Sequence, residues 1–252
     1  MSNLPFWVMF MNATRSTPEI NANSLGLIPS KYLARNWNVI GTKSFNAMTG
    51  FINSMIISTG ATALSVYFSS MTAYSIVAYR WKFRRAFFTF IMAVLMIPSQ
   101  IISIGFYQMM YSVGMNNNFL PLIIPAIASP AVVFYMKQYM ESTLPLSLIE
   151  AARIDGSGEF RTFNNIVLPL MKPAIAVQAI FAFVSSWNNY FTPALILHNR
   201  NMKTLPILIA ELRSADFLKF DMGQVYMMIA FSIFPIIVVY LILSKHIVQG
   251  AA

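Results

Sequence analysis

One short run of side chains within an apolar stretch has the chemistry to contact a sugar. It consists of Trp187, Asn188, Asn189 and Tyr190. Amide groups donate and accept the hydrogen bonds that sugar hydroxyls need, and aromatic faces can stack on the C–H surface of a pyranose ring. Gln100 is a further amide within an apolar stretch. We therefore treat these five residues as a candidate substrate path; the alternative is hydrogen bonding between membrane helices.

Catalytic and metal-binding patterns are missing from the sequence. The chain has no Cys and only two histidines, which rules out thiolate sites and histidine clusters. A phosphate-binding loop needs the pattern G-x-x-x-x-G-K-[ST], and the nearest approach, at Gly41, lacks the first glycine. We therefore expect no catalytic residue, no metal site and no cofactor, and no ATP hydrolysis by this chain.

The composition is that of an integral membrane protein. Hydrophobic residues make up 57% of the 252 residues and charged residues only 10%, against about 25% in a soluble domain. The mean hydropathy is +0.62. The net charge of +9 then indicates basic residues at membrane interfaces, facing anionic lipid, rather than binding to nucleic acid.

Windows without charge predict the membrane spans, each of which needs about 20 residues. Leu4–Met11 is too short and resembles the last turns of a first, truncated span. The five complete spans are expected near Phe51–Ala78, Ala86–Tyr111, Phe119–Tyr139, Ala174–Leu197 and Met222–Ser244. The predicted fold is an all-α membrane protein, a single domain over residues 1–252 with a bundle of about six transmembrane helices, kinked at prolines such as Pro98.

The polar segments between the spans define two sides. Residues 12–50 and 198–221 are expected outside, and residues 80–85, residues 137–172 and the C-terminal tail inside. The two sides carry eight and nine Lys/Arg respectively, which barely decides the orientation. Density decides better, because four of the six residues at 80–85 are basic and lie directly against two spans.

The longest charged segment between spans, residues 144–173, predicts two short helices joined by a glycine turn. Pro145 suits a first helical turn, and Gly156 supplies a left-handed C-cap. Ser157 is expected to cap the second helix, Pro169 to end it, and Pro173 to start the next one. A hairpin lying on the membrane surface is the alternative interpretation of this segment.

This segment resembles the cytoplasmic "EAA" signature of binding-protein-dependent ABC importers. The order Glu150-Ala151-Ala152, Asp155-Gly156, Ile166, Leu168-Pro169 and Pro173 matches the pattern of that family. Ser186-Trp187-Asn188-Asn189-Tyr190 also resembles the "S-W-N-x-[FY]" sequence of sugar-importer permeases of the maltose type. The likeness extends over nearly the whole chain.

The resemblance implies a permease subunit, multi-pass in a bacterial or archaeal cell (inner) membrane, that imports a sugar or oligosaccharide. The implied partners are a second permease, a pair of ATPase subunits that bind ATP and Mg, and an extracytoplasmic sugar-binding protein. The residues implied to couple to the ATPase are Leu148, Glu150, Ala151, Ala152, Asp155, Gly156 and Phe160. The alternative interpretations of the function are a permease for another solute and a stand-alone membrane channel.

Overall fold

The computed structural model describes residues 4–41, 46–214 and 221–248, and within these ranges the chain is helical and has no β-strand. Residues 42–45 and 215–220 of the two predicted outer segments, and the tail after residue 248, lie outside the described residues. The helices are α1 Leu4–Ala13, α2 Thr17–Ala22, α3 Leu33–Gly41, α4 Ala47–Ala78, α5 Arg84–Leu95, α6 Ser99–Ser112, α7 Leu120–Ile123, α8 Pro130–Thr143, α9 Leu146–Ile154, α10 Glu159–Thr162, α11 Leu168–Leu170, α12 Lys172–Trp187, α13 Phe191–Ile196, α14 Leu205–Arg213 and α15 Met222–Val248. A π-helix, Phe163–Val167, joins α10 to α11.

Contacts between Cα atoms divide the chain into two compact units. Unit 1 contains Met1–Ile56, Asn116–Asn118 and Trp187–Val238. Unit 2 contains Ile57–Met115, Phe119–Ser186 and Val239–Ala252. The candidate sugar-contact run therefore lies in unit 1, at the start of its last chain segment, and the hairpin at 144–173 belongs to unit 2.

Three helical stretches are long and apolar enough to cross a membrane by length and composition. They are Ala47–Ala78, Leu120–Thr143 and Met222–Lys245. The described residues offer up to five spans if each of two bent helix pairs counts as one span. These pairs are Arg84–Leu95 with Gln100–Ser112, and Glu159–Leu170 with Lys172–Trp187. In addition, α1 is a shorter apolar helix. The predicted spans near Phe51–Ala78 and Met222–Ser244 are confirmed by α4 and α15. The predicted span near Phe119–Tyr139 is confirmed by the helical stretch Leu120–Thr143, in which a 3-10 helix, Ile124–Ile127, lies between α7 and α8.

Two predicted spans are interrupted. The stretch 86–111 is a pair of helices, α5 and α6, bent by 96°, and the break precedes α6 at Pro98, which cannot donate a backbone hydrogen bond. The stretch 174–197 is likewise not one helix, because α12 ends at Trp187 and α13 starts at Phe191. Asn189 sits in the gap, and its side-chain oxygen accepts the backbone N–H of Thr192 at 3.4 Å, a local bond that competes with a continuous helix.

The polar segment 12–50, predicted to be an extracytoplasmic loop, contains helices. It contains α2 and α3, and α4 starts at Ala47. Ser16 donates its backbone N–H to Glu19 at 3.0 Å, half of a capping box that starts α2. The buried Asn36 donates to the carbonyl oxygens of Ala13 and Arg15. These polar contacts hold a compact helical layer within unit 1; the side of the membrane on which it lies stays a prediction.

The core of unit 2 carries the hairpin. Its buried residues come from α4, α8, α9 and the π-helix, and include Tyr74, Met140, Ile149, Phe163 and Val167. The Phe163 ring contacts the rings of Tyr67 and Tyr74 on α4, with centroids 5.7 and 5.6 Å apart. The two short helices of the hairpin are therefore packed onto the end of a long apolar helix rather than attached only through their loops.

Candidate functional site

The turn between α9 and α10 is built by glycine. Gly156 has φ +76°, as predicted from the sequence. Its N–H donates to the carbonyl of Arg153 at 3.0 Å, and the N–H of Ser157 donates to the carbonyl of Ala152 at 2.9 Å. These two bonds form the Schellman motif that ends a helix with a left-handed residue. A Cβ at this position would meet no atom within 4 Å, so only the backbone conformation requires glycine.

The ends of the second helix differ from their prediction. Gly158, not Ser157, occupies the position before α10, and the Ser157 hydroxyl instead accepts the Thr162 hydroxyl at 2.9 Å. Pro169 does not end the helix, which continues to Leu170. Pro169 has no N–H for the carbonyl of Asn165 and its ring crowds that group, and the wider π-helix lies directly before it. Pro173 does lie in the first turn of α12, as predicted.

The hairpin has a buried face and an exposed face. Ile149 and Phe163 are 1% and 2% exposed, and Ala152 is also buried. Ala152, one of the residues implied to couple to the ATPase, therefore lies on the buried face of the hairpin, and its role in coupling stays a prediction. Phe160, also implied to couple to the ATPase, is 68% exposed. The other predicted coupling residues are exposed as well, namely Leu148, Glu150, Ala151, Asp155 and Gly156.

Four large apolar side chains of the hairpin are exposed. Leu146, Leu148, Ile154 and Phe160 are all exposed, and Ile154 reaches 87%. Exposed apolar side chains of this size on a segment predicted to be cytoplasmic are candidates for protein–protein contact. Ile154 was missed by the sequence reasoning, although its position at the end of α9 beside Asp155-Gly156 was a signal. We call the surface formed by these four residues the apolar hairpin face.

A cluster of hydrogen bonds around Glu159 ties the two arms of the hairpin together and to α4. Arg153 donates from Nε to Oε1 of Glu159 at 2.7 Å and from Nη2 to Oε2 at 3.4 Å. Tyr79 and Tyr74 both donate their hydroxyls to Oε2 of Glu159. The Arg153 guanidinium also lies 5.0 Å from the Tyr79 ring centroid. We call these four residues the Glu159 cluster.

The electrostatics keep this cluster charged at neutral pH. The hydrogen bond from Arg153 holds the pKa of Glu159 below its ordinary value. Burial raises the pKa of Tyr79, so its hydroxyl stays protonated and able to donate. Within the described residues neither the Glu150 nor the Asp155 carboxylate accepts a hydrogen bond, and the two arms of the hairpin are joined by Arg153 and Glu159.

The run at 187–190 divides into one buried and three exposed side chains. Trp187 is 1% exposed, donates from Nε1 to the carbonyl of Ser232 at 3.0 Å, and meets the Phe51 ring edge-on at 5.7 Å. Its polar atom and much of its ring are thus occupied by packing. Asn188, Asn189 and Tyr190 are exposed.

A cavity of about 400 Å³ in unit 1 brings most of this run together. Its lining includes Trp187, Asn188, Tyr190, Pro206, Ile209 and Arg213. One amide, one aromatic hydroxyl and one guanidinium therefore line a partly apolar cavity, and Asn189 is not part of its lining. Arg213, at the end of α14, was not singled out from the sequence. Gln100 is exposed on α6 and belongs to unit 2.

Comparison with known proteins identifies the family. Residues 65–251 match the model of the family described as "Binding-protein-dependent transport system inner membrane component". The chain belongs to this family. It is therefore a multi-pass membrane permease subunit of an ABC importer and is not itself the catalytic subunit.

Individual relatives match over almost the whole chain. It is 34% identical over 251 residues to the arabinooligosaccharides transport system permease protein AraQ of Halalkalibacterium halodurans, covering 98% of this chain and 88% of that one. It is 30% identical over 251 residues to the sn-glycerol-3-phosphate transport system permease protein UgpE of Yersinia enterocolitica, covering 98% and 89%.

A solved structure shows the same fold. It is described as the crystal structure of a bacterial ABC transporter involved in the import of the acidic polysaccharide alginate, and it matches with a TM-score of 0.79 at 23% identity. The match covers 97% of this chain and 90% of the other.

The Glu159 cluster leads to a first prediction about the order of the hairpin. Glu159→Gln should speed amide exchange at Gly156 and Ser157 by up to about fivefold, because a partly exposed ion pair contributes about 0.2–1 kcal/mol. Arg153→Gln should have the same effect, and the double variant little more. Hydrogen exchange read by mass spectrometry measures this.

Acid should imitate these variants. Because the pKa of Glu159 is lowered in the folded chain, its contribution is complete above the ordinary value of 4.5 and is lost as the pH falls through the lowered value. Glu211→Gln, which removes an ion pair to Lys203 in unit 1, is the matched control and should leave the hairpin unchanged. Additive effects of the Arg153 and Glu159 changes would contradict the account.

Proposed function

We propose that this chain is the permease subunit of an importer for a sugar or oligosaccharide, driven by ATP that partner subunits bind with Mg and hydrolyse. The observation that carries this proposal is the hairpin: a rigid, glycine-turned pair of helices that packs one face into unit 2 and leaves Leu148, Ile154 and Phe160 exposed. An exposed apolar face on a firmly held element is what a docking contact requires. The membership of the chain in an importer family supports the ATPase as its partner.

The hairpin provides a route for transmitting motion. When two ATPase subunits close around ATP, α9 moves with the subunit that holds the apolar hairpin face. The packing of Phe163 and the bonds of the Glu159 cluster join α9 and α10 to the end of α4, so displacement of the hairpin displaces that span. Alternating exposure of the substrate path to the two sides of the membrane follows, and ATP hydrolysis resets it.

The remaining partners are a second permease, an extracytoplasmic sugar-binding protein and the lipid bilayer of a bacterial or archaeal cell (inner) membrane. In this arrangement residues 12–50 lie on the extracytoplasmic side and residues 144–173 in the cytoplasm. The many large apolar side chains exposed on α5, α6 and α15 are consistent with surfaces covered by lipid or by the second permease.

The substrate path is proposed to include Asn188, Asn189 and Tyr190, with Gln100 as a further amide. Trp187 forms a wall of the cavity, where its bond to Ser232 fixes the start of the exposed run. Asn188 and Tyr190 would meet sugar hydroxyls there. The relative AraQ, named for arabinooligosaccharides, supports a carbohydrate substrate.

A permease for a solute other than a plain sugar is the second candidate, and one observation favours it. Arg213 lines the same cavity, and a guanidinium suits a phosphate or carboxylate. The relative UgpE is named for sn-glycerol-3-phosphate. Uptake assays with neutral and anionic sugars therefore decide between the two candidates.

The glycine turn gives a prediction about coupling. Gly156→Ala should cost about 1 kcal/mol because an alanine is strained at φ +76°. That is too little to unfold a multi-span protein but enough to misplace a short docking helix. The reconstituted transporter should retain ATPase activity while substrate uptake per ATP falls.

The matched control is Gly158→Ala, two residues along the chain. Gly158 has φ −67° and open space around it, so alanine fits there. Uptake and ATPase activity should remain close to those of the unmodified transporter. Normal coupling in the Gly156→Ala transporter would show that the hairpin does not transmit the motion.

The cavity gives a prediction about the substrate. Asn188→Ala and Tyr190→Ala should each raise the KM for the transported sugar several-fold, while ATPase binding and membrane insertion stay normal. Trp187→Phe should instead lower the thermal stability, because the carbonyl of Ser232 loses its donor, and should leave substrate preference unchanged. Gln138→Ala, an exposed amide on α8, is the control. Unchanged uptake kinetics in both cavity variants would remove this run from the substrate path.

A further inference from the structure

Unit 2 holds a second cavity, of about 660 Å³, that neither the coupling hairpin nor the sugar path explains. It lies where α4 and α8 end and where α5 and α9 begin, so it opens at the ends of two membrane-spanning stretches. Its lining residues are Ile76, Val77, Arg84, Arg85, Phe88, Thr89, Lys137, Met140, Glu141, Leu144 and Leu146. The cavity thus combines several cations with apolar walls.

The cations outnumber the carboxylates in this lining. Arg84, Arg85 and Lys137 face a single acid, Glu141, which accepts a hydrogen bond from Lys137 at 2.6 Å. Arg84 donates to the carbonyl of Tyr79 at 3.3 Å, and within the described residues Arg85 has no acidic partner. Two guanidinium groups therefore remain without a counter-charge beside the cavity.

Lys137 shows that part of this charge is held away from water. Its side chain is only 15% exposed, and the ammonium lies 4.6 Å from the centroid of the Phe88 ring. An ammonium has three donors, and Glu141 is its one hydrogen-bond acceptor among the described residues. A partly buried cation with spare donors is favourable when an anionic oxygen occupies the space beside it.

The rest of the lining is apolar. Ile76, Met140 and Leu144 are buried, and Phe88 and Val77 are half-buried. These walls would contribute no binding free energy to an inorganic anion, whereas a hydrocarbon chain would pack against them and be shielded from polar groups. The combination of cationic and apolar surface at the end of a span matches the two parts of a phospholipid.

We propose that this cavity binds an anionic membrane phospholipid, with its phosphate held by Arg84, Arg85 and Lys137 and the start of an acyl chain against Ile76, Phe88 and Leu144. Arginine holds a phosphate through two parallel hydrogen bonds, and basic pockets between spans on the cytoplasmic side are suited to anionic headgroups. Free phosphate shares the anionic chemistry, but the apolar walls and the position at the membrane interface favour the lipid.

The site would also touch the coupling element. Leu146, the first residue of α9, lines the cavity. A bound lipid would therefore contact the start of the hairpin and limit its movement relative to α4. This inference depends on the membrane location of the chain and not on the identity of the transported solute, so it can fail while the proposed function holds.

The test measures lipid retention by the chain purified together with its partner subunits. Native mass spectrometry compares phosphatidylglycerol with phosphatidylcholine of the same acyl chains. The unmodified complex should retain phosphatidylglycerol preferentially. Arg84→Gln and Arg85→Gln should each weaken that retention by about fivefold, the effect expected for one cation at an anionic lipid surface. Arg85→Lys should keep most of it.

Arg80→Gln and Lys82→Gln are the matched controls, because they remove the same charge from the linker directly before α5 but lie outside the cavity lining. Equal loss in these controls would reduce the effect to general surface charge and overturn the site. Displacement of phosphatidylglycerol by inorganic phosphate would show a free-anion site instead. If phosphatidylglycerol were retained only after the ATPase subunits are removed, a protein segment would fill the cavity in the assembled complex. No preference between the two lipids would also overturn the proposal.

Discussion

The packing of Phe163 against α4 is the contact that holds the coupling hairpin against the membrane-spanning helices. The ring is 2% exposed and lies against Tyr67 and Tyr74, while Ile149 from the other arm of the hairpin is buried in the same core. Burying a side chain of this size contributes about 1.5–3 kcal/mol. Without this contact the hairpin would be joined to α4 only by its loops, by Ile149 and by the partly exposed hydrogen bonds of Glu159, and movement of α9 would be transmitted less directly.

The Glu159 cluster and the glycine turn have a different role from the packing. Arg153 and Glu159 are about a third to a half exposed, so their ion pair contributes little to stability. Its geometry nevertheless fixes where the two arms cross, because Glu159 accepts from α9 and from the end of α4 at once. Apolar burial thus holds the hairpin in place, the polar contacts set its orientation, and Gly156 permits the turn that allows both.

The sequence predicts the local features of this arrangement well and the long-range ones poorly. Gly156 and the two short helices follow from turn chemistry and from the spacing around Glu150, and three of the five predicted complete spans appear as helices of spanning length. The bond between Tyr79 and Glu159 joins residues 80 positions apart, which periodicity in one sequence does not show. Trp187 could equally stack on a ligand or pack in a core, and its burial depends on Ser232 and Phe51, which are distant in sequence. The prediction of one continuous helix over 174–197 was also wrong at Asn188–Tyr190, where the Asn189 side chain accepts the backbone N–H of Thr192.

We propose that an ATPase subunit docks on the apolar hairpin face and transmits its motion there. Because the natural chain has no cysteine, single cysteines introduced at Leu148 or Phe160 can be crosslinked to the ATPase in the assembled transporter, with Trp37→Cys, exposed in the segment predicted to lie outside, as the control. We expect efficient crosslinks from both hairpin positions, with yields that change when ATP binds, and none from the control. Absence of crosslinks from the hairpin, or equal crosslinking from position 37, would contradict it.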